Sequence, residues 1–178
     1  MDIYYVAGDN MVASGLIVSV DAFFIGLSLG MQKKCRFLWL VVINVFLFGL
    51  CMLGFFIAEQ IYELIPFDTG LIVGLLFIAI GLWYVAQFFL FKQPPKAIVP
   101  VGLVMSIEAM VITMGLTFIF LPVSTIVIPV TVAAAHFGYS AISFYLARIK
   151  YVQRLPVAFS HVISGLALVC YGGFALFL

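Results

Sequence analysis

The chain has 178 residues, of which 66% are hydrophobic and only 8% charged, and its mean hydropathy is +1.32. No soluble domain of this length hides so much apolar surface in one core, so the composition is that of an integral membrane protein. A net charge of +1 excludes a nucleic-acid footprint, and the acidic start (Asp2, Asp9) lacks the basic region of a cleavable signal peptide.

Six apolar segments follow in chain order, at 11–31, 37–58, 69–91, 97–120, 125–147 and 156–177. Each has about 20 residues, enough for a helix to cross a hydrocarbon layer of about 30 Å. The expected fold class is an all-α integral membrane protein with six transmembrane helices and no soluble domain. All eight basic residues fall in three alternate loops: Lys33, Lys34 and Arg36; Lys92 and Lys96; Arg148, Lys150 and Arg154. Asp2, Asp9, Glu59, Glu63 and Asp68 fall on the other side, so the positive-inside rule places the basic loops in the cytoplasm and both termini outside.

Two acids remain inside the spans. An ionised carboxylate there costs at least about 2.5 to 3.5 kcal/mol and calls for compensation. The two are related: GLIVSVDAFFIGLSL from Gly15 aligns with GLVMSIEAMVITMGL from Gly102, which sets Asp21 on Glu108 at an offset of 87. A shared G-L-x-x-S-x-[DE]-A core at half-length points to an internal duplication. With three spans per half, the second half enters the membrane inverted. The expected organisation is one membrane domain of two inverted-topology three-helix repeats, 1–91 and 92–178.

Gly15, Ser19, Ala22 and Gly26 form a small-residue stripe that Gly102, Ser106, Ala109 and Thr113 repeat, which suits close backbone approach. On a continuous helix Asp21 points about 140° from that stripe, in line with Ser14 and Ser28. The first and fourth spans are therefore expected at the centre, either continuous or unwound near the S-x-[DE]-A core. Two carboxylates at mid-membrane suit a hard divalent cation such as Mg²⁺, Ca²⁺ or Mn²⁺, and the same pair can exchange protons for it. Asp21 and Glu108 are the principal candidate metal ligands. Ser19, Ser106, Asn44 and His136 are secondary ones, each with a packing or hydrogen-bonding role as its plainer reading. Gln87 and His161 sit near span ends as interfacial residues. Pro122 and Pro129 bracket the start of the fifth span, where a proline can kink a helix. The aromatics are lipid-facing bulk and interfacial anchors such as Tyr4, Tyr5, Tyr62 and Tyr151.

The paired motifs Ser19-Val20-Asp21-Ala22 and Ser106-Ile107-Glu108-Ala109 resemble those of the bacterial manganese efflux pump family, within the lysine-exporter superfamily of six-span inverted-repeat transporters. Span count, length, outward termini and the late Gly81 and Gly165 are similar too. The resemblance implies a multi-pass protein of the bacterial plasma membrane that exports Mn²⁺ from the cytoplasm, with Asp21 and Glu108 ligating it directly. Here the second acid is Glu108, one methylene longer than the family's Asp, and neutral Asn44 and Gln87 stand where the family tends to carry charge. The implied partners are the lipid bilayer, a divalent cation as transported substrate rather than cofactor, and protons in exchange. An enzyme is not expected, for neither a nucleophile with its base nor an H-E-x-x-H motif is present, and Cys35, Cys51 and Cys170 offer no symmetric redox pair. The rival readings are an amino-acid exporter of the same superfamily, which would favour Lys or Arg within a span, and a non-transporting assembly or sporulation protein.

Overall fold

A computed structural model describes residues 11–32, 36–62, 64, 69–90, 98–120, 126–149 and 159–176. The described residues are helical apart from a few turn and bend residues and contain no strand. In chain order the helices are α1 (11–18), α2 (Asp21–Met31), α3 (Phe37–Tyr62), α4 (Thr69–Leu90), α5 (Ile98–Phe120), α6 (Val127–Leu146) and α7 (Phe159–Ala175). The apolar runs dictate this outcome, because a backbone in lipid must satisfy its own N–H and C=O groups and a helix does so within one segment. Met11–Met31, Phe37–Tyr62 and Val127–Leu146 are long and apolar enough to cross a membrane, and shorter apolar stretches fill Leu71–Trp83, Met105–Phe120 and Gly165–Ala175.

The first apolar segment is not one uninterrupted helix. At Ser19 and Val20 the ladder tightens to shorter turns, with the Val20 N–H donating to the Ile17 carbonyl at 3.4 Å, Ala22 to Ser19 at 3.1 Å and Phe23 to Val20 at 3.1 Å. Val20 keeps right-handed helical angles (φ −61°, ψ −28°), so the axis is pinched rather than broken. Asp21 thereby becomes the acidic first residue of α2. The equivalent stretch around Ser106 runs unbroken inside α5.

Small residues decide which helices meet. A Cβ on Gly26 would overlap the Ser140 carbonyl, and one on Gly30 the Phe144 carbonyl, so α2 lies against α6 almost backbone to backbone. Gly54 on α3 does the same toward the Met110 carbonyl of α5, at 2.6 Å. The small-residue stripes of the first and fourth spans are thus used against α6 and α3 respectively. Between α4 and α7 the fit is reciprocal: a Cβ on Gly74 would meet the Gly172 carbonyl at 2.8 Å, one on Gly172 would meet the Gly74 carbonyl at 2.7 Å, and Gly81 faces Gly165. The main core joins Leu47, Cys51, Phe77, Ile112, Leu116, Val132 and Leu168, while Leu29, Leu40 and Phe144 form a smaller cluster where α2 ends and α3 begins.

Pro129 sits in the first turn of α6, a position whose N–H has no partner in a helix anyway, so it starts the helix rather than kinking its middle. The expected anchors and loop charges Asp2, Tyr4, Tyr5, Asp9, Lys33, Lys34, Glu63, Asp68, Lys92, Lys96, Lys150, Tyr151 and Arg154, with Cys35 and Pro122, lie outside the described residues.

Candidate functional site

Asp21 opens α2 about halfway along the first segment, and His136 lies about halfway along α6. The close α2–α6 crossing that Gly26 permits brings their side chains together. His136 Nε2 stands 3.6 Å from Asp21 Oδ1, and the two residues are 0% and 6% exposed. His136 Nδ1 is 3.0 Å from the Val132 carbonyl one turn earlier. A carbonyl only accepts, so Nδ1–H donates and the other ring nitrogen is left facing the carboxylate. A separation of 3.6 Å is too long for a hydrogen bond. Neither oxygen of Asp21 and no second partner of Nε2 completes one, which is an uncommon state for groups so deeply buried.

Glu108 is buried near the middle of α5, 8% exposed, as Asp21 is near the middle of the apolar segment Met11–Met31. Among the described residues no three His, Cys, Asp or Glu side chains gather at metal-binding distance, so Glu108 does not complete a three-residue set with Asp21 and His136 in this conformation. Ser19 and Ser106 play matching parts: Ser19 Oγ donates to the Gly15 carbonyl at 2.6 Å and Ser106 Oγ to the Gly102 carbonyl at 2.7 Å. Thr113 and Thr117 continue that pattern along α5. These hydroxyls spend their protons on the preceding turn, as the plainer reading of them holds.

Asn44 ties two helices together. Its amide donates to the Leu40 carbonyl at 2.9 Å and to Ser140 Oγ at 3.3 Å, joining α3 to α6 one turn beyond His136. Ser140 and Ser143 were not legible as part of this region, since in sequence they read as two more small residues of an apolar span; only their i+4 and i+7 spacing from His136 places them on its face. The side chains of Gln87 and His161 lie outside the described residues. Two shallow apolar grooves, of about 410 and 400 Å³, flank α6, and neither is lined by Asp21, His136 or Glu108.

Chemically the pair offers one hard oxygen donor and one borderline nitrogen donor buried between α2 and α6, a combination open to a cation or to a shared proton. No curated protein and no solved structure matches the chain. A family model described as "Putative manganese efflux pump" does match it, over residues 4–85. Across that stretch, which carries Ser19, Asp21 and Asn44, the chain is a match to the manganese efflux pump family.

Proposed function

We propose that this multi-pass membrane protein is a secondary transporter that exports Mn²⁺ from the cytoplasm by alternating access around Asp21 and Glu108. The observation that carries the reading is a carboxylate at mid-height, 6% exposed and without a hydrogen bond to either oxygen, inside the stretch that matches a manganese efflux family. A buried acid of that kind costs several kcal/mol unless a cation or proton accompanies it. In this proposal Asp21 and Glu108 are the principal ligands, and His136, Asn44, Ser19 and Ser106 complete the shell at different points of the cycle. A cytoplasm-facing cavity loads the metal, one half rocks against the other, and the metal leaves outside while protons return. Such a protein moves its substrate and is no enzyme.

Two inverted three-helix repeats, 1–91 and 92–178, are part of the same proposal. Three regularities favour them. The Ser19–Gly15 and Ser106–Gly102 hydrogen bonds are copies of each other at the offset of 87. Every buried position of α3 lands on a buried position of the α6 segment when shifted by 89, taking Leu40 to Pro129, Leu47 to His136, Cys51 to Ser140, Gly54 to Ser143, Phe55 to Phe144 and Ala58 to Ala147. A shift of 91 exchanges the two halves of the α4–α7 glycine seam, Gly74 with Gly165 and Gly81 with Gly172. Orientation rests on charge. Phe37 stacks near Tyr145 at 5.4 Å, which sets Arg36 and Arg148 at one end of the bundle, the cytoplasmic end by the positive-inside rule.

Flux of Mn²⁺ into sealed vesicles holding the purified protein tests the reading. Wild type is expected to move Mn²⁺, whereas Asp21→Asn and Glu108→Gln, folded to the same extent, are expected to lose at least about tenfold of the flux. Absence of flux in wild type, or flux unchanged in both variants, removes the proposal.

A further inference from the structure

The Asp21–His136 pair looks at first like a buried ion pair, yet its geometry is that of two arms waiting for a third atom. Both groups are more than nine-tenths buried, both face the same gap, and neither meets a hydrogen-bonding partner across it. The ring is held by its far nitrogen: with Nδ1–H on the Val132 carbonyl, the neutral imidazole turns its Nε2 lone pair toward Asp21. Metal-binding histidines are oriented in this way, with the second ring N–H given to a backbone carbonyl or carboxylate. A ring serving only as a hydrogen-bond donor to Asp21 would instead close to about 2.7–2.9 Å. Two donor atoms each about 2.1 Å from one cation and 3.6 Å apart subtend roughly 110 to 120°, an ordinary angle for a four- or five-ligand shell.

The two halves differ at this point. The position on α3 that matches His136 on α6 is Leu47, fully buried and apolar. Whatever ligands Glu108 uses, an imidazole from the equivalent α3 position is not among them. The nitrogen donor therefore belongs to one half only, and it changes the chemistry of that half. Carboxylates, carbonyls and hydroxyls alone suit Mg²⁺ and Ca²⁺ as well as Mn²⁺, whereas imidazole favours transition-metal ions.

We infer that His136 is the selectivity-determining ligand: Nε2 of His136 and Oδ1 of Asp21 together bind the transported ion, which restricts the substrate to transition-metal dications such as Mn²⁺, Fe²⁺, Co²⁺ and Zn²⁺ against Mg²⁺ and Ca²⁺. This rests on the metal-transport reading above and adds to it the class of ion and the residue that chooses it. The acids supply the charge that admits any divalent ion, and the imidazole discriminates among them.

The test uses the full chain in detergent with Mn²⁺ alone as probe, read by pulsed electron paramagnetic resonance for nitrogen coupling to the bound metal. Coupling is expected in wild type, is expected to change its pattern when the protein is made with ¹⁵N-histidine, to persist in His161→Gln and to vanish in His136→Gln. In vesicles, His136→Gln is expected to slow Mn²⁺ flux more than Mg²⁺ flux, losing at least about tenfold of the preference for Mn²⁺ over Mg²⁺. Bound Mn²⁺ without nitrogen coupling, coupling that disappears with His161 instead, or an unchanged preference in a folded His136→Gln protein overturns the inference and leaves His136 as the ion-pair partner of Asp21, with metal transport intact. If His136→Gln does not fold, ¹⁵N-histidine-labelled His161→Gln, in which His136 is the sole histidine, decides the question. Wild-type protein that neither binds nor moves any divalent ion ends the transport reading itself, a result distinct from all of these.

Discussion

Asp21 and Glu108 are matched in sequence yet differ in setting. Asp21 begins a helix beside an imidazole, while Glu108 lies within a continuous helix and carries one more methylene. The two acids are therefore not interchangeable. Swapping lengths, as Asp21→Glu or Glu108→Asp, is expected to retain binding of Mn²⁺ but weaken it, and a titration of bound metal against free Mn²⁺ checks this. For the serines the expectation is milder, because each hydroxyl proton already goes to the carbonyl four residues back. Ser19→Ala and Ser106→Ala should change thermal stability by no more than about 1 kcal/mol. Asn44 spans two helices, and Asn44→Ala should cost about 0.6 kcal/mol and no more than about 1.7, the average and the maximum for interhelical hydrogen bonds in a membrane bundle. A larger loss in chemical denaturation would mean that Asn44 holds more than Ser140.

Among the helices, the glycines separate into two groups with opposite expected behaviour. Gly26 and Gly81 lie where a neighbouring backbone occupies the space of a side chain, so Gly26→Val and Gly81→Val must push α6 from α2 or α7 from α4. Overpacking of this kind costs about 1 to 3 kcal/mol or more. Gly49, Gly138 and Gly173 meet nothing within 4 Å, and alanine there should be neutral or stabilise by up to about 1 kcal/mol through helix propensity. Melting temperatures of the five single variants in one detergent give the contrast directly. If Gly81→Val melts like Gly49→Ala, the α4–α7 seam is not as close as described. The pinched turn at Ser19 and Val20 belongs to the same level of organisation: it sets Asp21 at the α2 terminus without turning the chain aside.

For the assembled bundle, the packing of α2 on α6, α3 on α5 and α4 on α7 sets the start of α3, the start of α5 and the close of α6 at one end, because Ile43 meets Gly102 near the starts of α3 and α5 and Phe37 meets Phe144 and Tyr145 at the close of α6. In a cysteine-free background, single cysteines at positions 34, 96 and 150 are accordingly expected to share one accessibility to a membrane-impermeant thiol reagent applied outside intact cells, all three protected. Labelling of one position but not the others would contradict the common face. The deep burial of Asp21 and His136 adds that, in the proposed cycle, an ion would reach them only after α6 and α2, or their neighbours, shift.

Much of this was open to reading before any coordinates. Hydropathy alone laid out the helical segments to within a few residues, since each apolar run has one way of satisfying its backbone in lipid, and the G-L-x-x-S-x-[DE]-A pair singled out Asp21 and Glu108 because a charge in such a run is costly. Helical periodicity also marked the small-residue stripes. It could not say what each stripe would touch: the choice of α6 for Gly26, α3 for Gly102 and α7 for Gly81 depends on how three-dimensional surfaces fit, which an apolar pattern without a polar face does not encode. His136 shows the difference most sharply. As one imidazole in AAAHFG it reads as a secondary candidate ligand whose plainer role is packing, and only the crossing of α6 over α2 sets its Nε2 3.6 Å from Asp21. The kind of charge inside the membrane was settled by composition; the neighbour that charge would meet was settled by packing between segments distant in the chain.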